Sequence, residues 1–340
     1  MQIIEVPTGL IMTSEFSKGQ LEFLSIGDYG QDANIKADFL GMDRPINGVP
    51  DGKIMPLEEK WVITISTQYG CNMKCKFCDV PQVGPGKNAT QWDMINQIKM
   101  AREAYPEVTE TKRLNIHYAR MGEPTFNRSV LDVSRFLAAD GRDFLNLKCG
   151  TLHPVLTTMM PKKNKILKDY IDEWGHIKNE CFDGEANLQV SINSTNDEQR
   201  DDMYQGCTLS LEEIAAVVKD LPAPKRRKWC INMAMADGYE SDGAKMAALF
   251  NPDHWMVKIT PIHVNTATTD NGIQTKDGYD LYDFYAPHEE AFKAAGFDTL
   301  VFVPSYDEDY GMITCGNAVL SGRMPTIPHT VSNVELEQPA

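Results

Sequence analysis

From residue 61 to residue 261 the chain alternates short apolar runs with longer stretches of helical spacing, and this alternation restricts the folds open to it. The runs at 61–67 (WVITIST), 114–118, 152–157, 188–193, 229–235 and 255–261 read as strands. The stretches at 92–104, 130–139, 165–174, 211–221 and 242–250 place apolar residues at helical intervals. Strands joined by helical crossovers belong to βαβ units and a parallel sheet. Six such units point to an α/β fold closed into a partial (β/α)6 barrel. Folds of this kind place their chemistry at the C-terminal ends of the strands. A helix at 282–295 and a strand at 299–304 follow. Residues 1–59 read as a small β-rich segment, in which QLEFLSIG forms a strand and ANIKADFLGM is placed to pair with it. Gly and Pro mark 44–56 as a loop. The division expected is a lead-in at 1–59, a core with a C-terminal active-site segment at 60–322, and an extended tail at 323–340.

The end of the first core strand carries the sharpest chemical signal, Cys71-Asn-Met-Lys-Cys75-Lys-Phe-Cys78. A short loop can turn three sulfurs at this spacing to one face. A 4Fe–4S cube normally takes four thiolates. No fourth cysteine lies nearby, so one iron would stay open to a ligand. Structural zinc is the rival, but it favours paired C-x₂₋₄-C elements and four ligands. Five other cysteines, at 149, 181, 207, 230 and 315, are scattered. In a reducing compartment the cluster of three reads as metal binding rather than disulfides. One strand later comes Met121-Gly122-Glu123-Pro124. Here a carboxylate can meet an ammonium, and a glycine allows close backbone approach.

The C-x₃-C-x₂-C pattern with an aromatic before its last cysteine resembles the radical-SAM superfamily. The resemblance implies a 4Fe–4S cluster whose open iron chelates S-adenosyl-L-methionine (SAM) and cleaves it to a 5′-deoxyadenosyl radical. It also implies an external electron donor such as flavodoxin or ferredoxin. Further segments narrow the match. Ser66-Thr-Gln-Tyr-Gly-Cys71, Met121-Gly-Glu-Pro-Thr-Phe-Asn127, Val190-Ser-Ile-Asn-Ser-Thr-Asn-Asp-Glu-Gln-Arg-Asp201 and Asp309-Tyr-Gly-Met-Ile-Thr-Cys-Gly-Asn317 resemble the RlmN/Cfr family of RNA methyltransferases, in the family's order. That likeness implies that Cys71, Cys75 and Cys78 hold the cluster. It implies that Gly122 and Glu123 meet the SAM amino group, and that Thr157, Ser191, Asn193 and His263 lie at further SAM contacts. Cys315 matches the methyl-carrying cysteine. Asn193 stands where the family usually has histidine, and His263 where it usually has asparagine. Ordinary strand-end hydrogen bonding is the competing account for Thr157, Ser191 and Asn193, and a satisfied rim histidine for His263.

The resemblance breaks at two places. The family resolves its covalent adduct with a second cysteine, seven residues before the cluster motif, and here that position is Thr64. A threonine hydroxyl cannot form the resolving disulfide. A family base in the N-terminal β segment corresponds loosely to Lys36. Only about 60 residues precede the first core strand, short of the family's helical RNA-binding extension. The formal net charge of −15 also argues against an extensive RNA footprint. The one dense basic cluster, 225–228, reads as a solvated turn. No apolar run of roughly 18 residues is present and the N-terminus has no secretory pattern, so a cytoplasmic protein with no membrane partner is expected.

The expected function is therefore a radical-SAM enzyme that methylates or otherwise modifies a carbon of a nucleobase or nucleotide. The alternatives are radical rearrangement or oxidation of a small-molecule substrate without methyl transfer, and a non-catalytic cluster- or zinc-bearing binding protein.

Overall fold

The computed structural model describes residues 1–6, 8–28, 35–36, 54–276, 282–304, 308–309 and 311–323. The chain opens with strands β1 (Gln2–Val6), β2 (Gly9–Phe16) and β3 (Gly19–Ile26). The two-residue strand β4 (Ile35–Lys36) follows. Strand β5 (Trp61–Ile65) leads to a small ribbon of β6 (Gln68–Tyr69) with β7 (Lys87–Asn88). Helix α1 (Gln91–Glu103), β8 (Glu110–Tyr118), α2 (Ser129–Phe144) and β9 (Lys148–Thr158) come next. They are followed by α3 (Leu167–His176), β10 (Asn187–Ser191), α4 (Asp197–Met203), α5 (Leu211–Val218) and β11 (Trp229–Met235). Helix α6 (Gly243–Leu249), β12 (Trp255–Pro261), α7 (Thr266–Asp270), α8 (Ala286–Ala294) and β13 (Asp298–Val303) complete the core.

Among the described residues one sheet runs β1-β2-β3-β5-β8-β9-β10-β11-β12-β13-β4. From β5 through β13 its strands are parallel. The expected six-strand barrel thus gains a seventh parallel strand, β13, which pairs with β12. The N-terminal segment also differs from expectation. QLEFLSIG forms β3, but its partners are β2 and β5. Ile35 and Lys36 pair antiparallel with Val303 and Phe302 at the opposite edge of the sheet, and the rest of ANIKADFLGM lies outside the described residues. The tail beyond 323 lies outside them too.

Helix limits shift for local reasons. The expected helix at 282–295 is a 3-10 turn at Tyr282–Phe284 followed by α8, whose first turn holds Pro287 where no backbone donor is needed. Helix α4 has no counterpart in the sequence reading. Asn196 caps it by accepting hydrogen bonds from the amides of Glu198 and Gln199. No helix among the described residues is long and apolar enough to cross a membrane.

Strand alternation divides the molecule into two environments. Trp61, Ile63, Ile65, Leu114, Ile116, Leu188, Val190, Ile231, Met233, Val257 and Ile259 face the helices and are buried in the main core. The intervening positions face the barrel lumen, and they are mostly polar: Thr64, Asn115, His117, His153, Gln189, Asn232 and Lys258 line a cavity of about 500 Å³. Strands buried on both faces read as continuous apolar runs. Here one face of each strand looks into a cavity rather than onto packed helices, so every second residue can be polar.

A buried ion pair ties the N-terminal hairpins to the C-terminal segment. Glu22 on β3 is fully buried and takes the Arg120 guanidinium, with Nε at 2.7 Å. The same carboxylate accepts the amides of Val319, at 3.2 Å, and Leu320, at 2.9 Å. Replacing Glu22 with alanine leaves Arg120 buried without its partner, which costs roughly 3–5 kcal/mol. Denaturant unfolding of Glu22→Ala should show that loss, whereas a change under 1 kcal/mol would remove this tie from the account.

Candidate active site

The chain leaves β5 into a loop that is pinned at each turn. Gln97 of α1 accepts the Ser66 amide at 2.9 Å and returns a hydrogen bond to the Ser66 carbonyl at 3.0 Å. The Cys71 amide donates to the Gly84 carbonyl at 3.0 Å, and Asn72 exchanges two hydrogen bonds with Gly86. The three loop cysteines are free thiols of intermediate exposure. Met73, Met159, Met203 and Tyr204 form an apolar wall beside them, with Phe77 edge-on to Tyr204 at 5.5 Å. The Cys75 sulfur lies 3.6 Å from that of Met159. Burial pushes the Cys71 thiol up to about 11. Burial raises Cys75 and Cys78 further, and so does the proximity of the other loop thiols and of Cys315. Three thiolates there require a cationic partner.

Among the described residues, no three His, Cys, Asp or Glu side chains converge as ligands of one metal ion. Structural zinc needs such convergence.

Glu123 lies past the end of β8, capping the 3-10 turn Pro124–Phe126, and is buried. Its Oε1 accepts the Thr125 amide and hydroxyl and the Thr158 hydroxyl, at 3.1, 2.7 and 2.7 Å. Among the described residues its Oε2 takes only the Met159 amide, at 3.1 Å. Burial raises the carboxyl pKa despite these donors. Gly122 has φ +96°, and a Cβ there would lie 2.5 Å from the Gln68 Cβ. Glycine is therefore the residue that lets β8 turn against the cysteine loop. Neither Gly122 nor Glu123 lines the lumen; both stand behind the loop, where Glu123 acts electrostatically on Cys71 and Cys75.

The other candidates converge on the lumen. Thr157, Ser191, Asn193, His263, Cys315 and Thr64 all line the one cavity. Thr157 leans towards the Gln189 side chain at 3.4 Å. Asn193 is committed to the turn: it adopts φ +64°, its Oδ1 accepts the Ala234 amide at 3.0 Å, and its Nδ2 meets the Met203 sulfur. Asparagine tolerates that left-handed backbone better than most residues. His263 Nδ1 lies 3.0 Å from Asp309 Oδ1, which orients the ring. Cys315 is exposed, and that exposure opens inward on the cavity. Burial raises its thiol pKa, partly offset by Arg120 and Lys258.

A buried carboxylate missed in the sequence, Asp79, joins the two cysteine segments. Its Oδ1 accepts the Ala267 amide at 2.9 Å and its Oδ2 the Thr266 amide at 3.3 Å, while its own amide donates to the Gly316 carbonyl at 2.8 Å. Asn265 Nδ2 adds a hydrogen bond to the Phe77 carbonyl at 2.9 Å. Gly316 has φ +92°, and a Cβ there would stand 2.7 Å from that same carbonyl. The signal for Asp79 was its place directly after Cys78. For Glu22 it was a carboxylate inside an apolar strand. Nothing local marked Asp309 as the partner of His263.

No protein-family model matches the chain. It is 27% identical over 201 residues to the dual-specificity RNA methyltransferase RlmN of Syntrophus aciditrophicus, covering 58% of this chain and 52% of that protein. To the RlmN of Sorangium cellulosum it is 24% identical over 264 residues, covering 77% and 62%. A crystal structure of a radical SAM methyltransferase from Sphaerobacter thermophilus superposes with TM-score 0.63 at 18% identity, over 93% of this chain and 80% of that one. In sequence the chain is thus similar, at low identity, to RlmN-type RNA methyltransferases, and in fold to a radical SAM methyltransferase. It spans between half and two thirds of the length of these two RlmN relatives. The structural match supports the fold alone, and it supports the α/β barrel expected for an RlmN-like chain.

Two outcomes follow from the site. Asp79→Ala orphans the amides of Thr266 and Ala267 and should cost roughly 2–4 kcal/mol in denaturant unfolding. The second outcome concerns pH. Burial, then Lys258, Lys60 and Arg113, lowers the His117 pKa to about 3. Burial, then Arg113 and Arg227, lowers that of His153 to about 2. Both rings stay neutral in the fold, whereas an unfolded imidazole titrates near 6.5. The unfolded chain therefore binds more protons below 6.5. The stability these rings permit is present above 6.5 and lost as pH falls towards about 3. In His153→Gln the slope of unfolding free energy between pH 6 and 4 should flatten by up to about 1.4 kcal/mol per pH unit. An unchanged slope would contradict the buried neutral ring.

Proposed function

We propose that this chain is an enzyme that binds a 4Fe–4S cluster on Cys71, Cys75 and Cys78, cleaves SAM there, and modifies a carbon of a nucleobase or nucleotide by methyl addition. The observation that carries this reading is Cys315, which opens on the same lumen as Thr157, Ser191 and His263 and is tied to the cysteine loop through the Asp79 amide on the Gly316 carbonyl. When bound, the cluster and SAM supply one-electron bond cleavage and hydrogen-atom abstraction.

The chain's own residues do the positioning. Glu123, which stands behind the cysteine loop and off the lumen wall, has one donor on its Oε2 among the described residues and would meet the SAM ammonium from the loop side. Thr157 and Ser191 offer hydroxyls at strand ends on the lumen wall. Asp309 fixes the ring of His263 at the rim. The apolar wall of Met73, Met159, Met203 and Tyr204 excludes water from the loop side. Cys315 presents a thiol to whatever occupies the lumen. An external electron donor such as flavodoxin or ferredoxin completes the reading.

A second reading, radical chemistry on the same substrate without methyl transfer, is favoured by Thr64. No cysteine stands at that position, and burial holds the further cysteine on the lumen wall, Cys230, at about 11. A thiol so hard to ionise is a poor resolving nucleophile.

Anaerobic, reductant-fed protein should convert SAM to 5′-deoxyadenosine, and Cys75→Ala should lower that rate by roughly 100-fold or more because the reactive group is lost with its ligand. Equal rates in the two proteins would sink the assignment. With methyl-labelled SAM, label on Cys315 supports methyl transfer, and its absence during active SAM cleavage supports the second reading.

A further inference from the structure

The lower half of the lumen has a charge opposite to that of the chain as a whole. Among the described residues four cations, Lys60, Arg113, Arg227 and Lys258, line the cavity against two carboxylates, Asp28 and Glu308, in a protein of net charge −15. Lys60 is bonded to Asp28, and Arg227 Nε lies 3.1 Å from Glu185. Arg113 and Lys258 have no carboxylate within ion-pair distance among the described residues. Arg113 donates its Nε to Asn115 Oδ1 at 2.8 Å, and the Lys258 ammonium stands 4.8 Å from the centre of the Phe302 ring. Burial lowers the Lys258 pKa, so an anion beside it would relieve a real cost.

The same region holds two buried polar atoms with no partner. His153 Nδ1 and Asn187 Oδ1 are buried and make no hydrogen bond among the described residues, and both residues line the cavity. In a neutral ring one imidazole nitrogen accepts and the other donates, so His153 Nδ1 can take a hydroxyl as its partner. Native proteins rarely leave such atoms unmatched, so they call for hydroxyl or amino donors. Anion-seeking cations and donor-seeking acceptors together describe one ligand class, a sugar phosphate.

We propose that the lumen floor binds the phosphate and ribose of a free nucleoside monophosphate, with Arg113 and Lys258 on the phosphate and His153 and Asn187 on the hydroxyls. This rests on the reading of the chain as a nucleobase-modifying enzyme and names its substrate class. The base is then directed up the lumen towards Cys315. Arg113 lies about 16 Å along β8 from Tyr118 at the rim, taking the rise of an extended chain. A nucleotide joined on both sides to a strand cannot bring its phosphate so deep without drawing the flanking chain in with it. A free mononucleotide can.

Calorimetry on the reconstituted full chain would compare the four ribonucleoside monophosphates, their nucleosides, inorganic phosphate and an RNA hairpin. At least one monophosphate should bind roughly tenfold or more tighter than its nucleoside, as a charge-assisted contact requires. In Lys258→Met and Arg113→Met that ratio should fall towards one with nucleoside affinity retained. The inference is overturned if no monophosphate outbinds its nucleoside, if inorganic phosphate binds as tightly as every monophosphate, or if the hairpin outcompetes them all. Should either variant fail to fold, the wild-type ratios decide alone. The same preparation is assayed for 5′-deoxyadenosine. Failure there removes the enzyme reading and leaves the binding result standing, whereas intact SAM cleavage without monophosphate preference removes this inference only.

Discussion

The geometry of the site depends on one buried carboxylate, Asp79. It follows Cys78 directly, so its backbone is fixed by the cysteine loop. It spends its side chain on the start of α7 and its amide on Gly316, beside Cys315. The two cysteine-bearing segments are far apart in sequence, and this residue makes them one site. Burial of a carboxylate is costly unless its oxygens are satisfied, and two amides at a helix start satisfy them. Glu22 repeats the arrangement from the other side, holding Arg120 and the amides of Val319 and Leu320. Between them the two acids fix the C-terminal segment over the mouth of the barrel.

The second constraint is the strand period. On each core strand one set of residues packs against helices and the other looks into the lumen. Stability comes from the first set, through Trp61, Ile63, Val190, Ile231 and their neighbours. The second set is free to be polar and carries the chemistry. This separation explains how a chain of net charge −15 can hold Arg113 and Lys258 on its lumen wall with no carboxylate at ion-pair distance among the described residues. The acidic exterior and the basic floor do different jobs, and the sheet keeps them apart.

Much of this was legible in the sequence. The β-branched runs marked the strands, the spacing between them marked parallel crossovers, and the motif around Cys71 lay at a strand end as the fold requires. Even the lumen can be read afterwards in the polar residues that interrupt LNIHY and NLQVS. Other features depend on distant partners and left no local trace. Ile35 and Lys36 had no sequence reason to cross to the far edge of the sheet and pair with β13. The polar starts of β8 and β9 look like loop until their pairing is known. Asn193 matched a cofactor position by resemblance, yet its side chain is used by Ala234 and Met203, which only the fold shows. His263 gained meaning once Asp309 was found beside it.

The central claim is that the pinned loop of Cys71, Cys75 and Cys78 holds an iron–sulfur cube and not a lone metal ion. Iron, acid-labile sulfide and zinc analysis of anaerobically prepared protein tests it most directly, with the triple Cys71→Ala, Cys75→Ala, Cys78→Ala variant as the reference. The account predicts about four irons and four sulfides per chain, absent from the variant. One zinc per chain with no sulfide would contradict it.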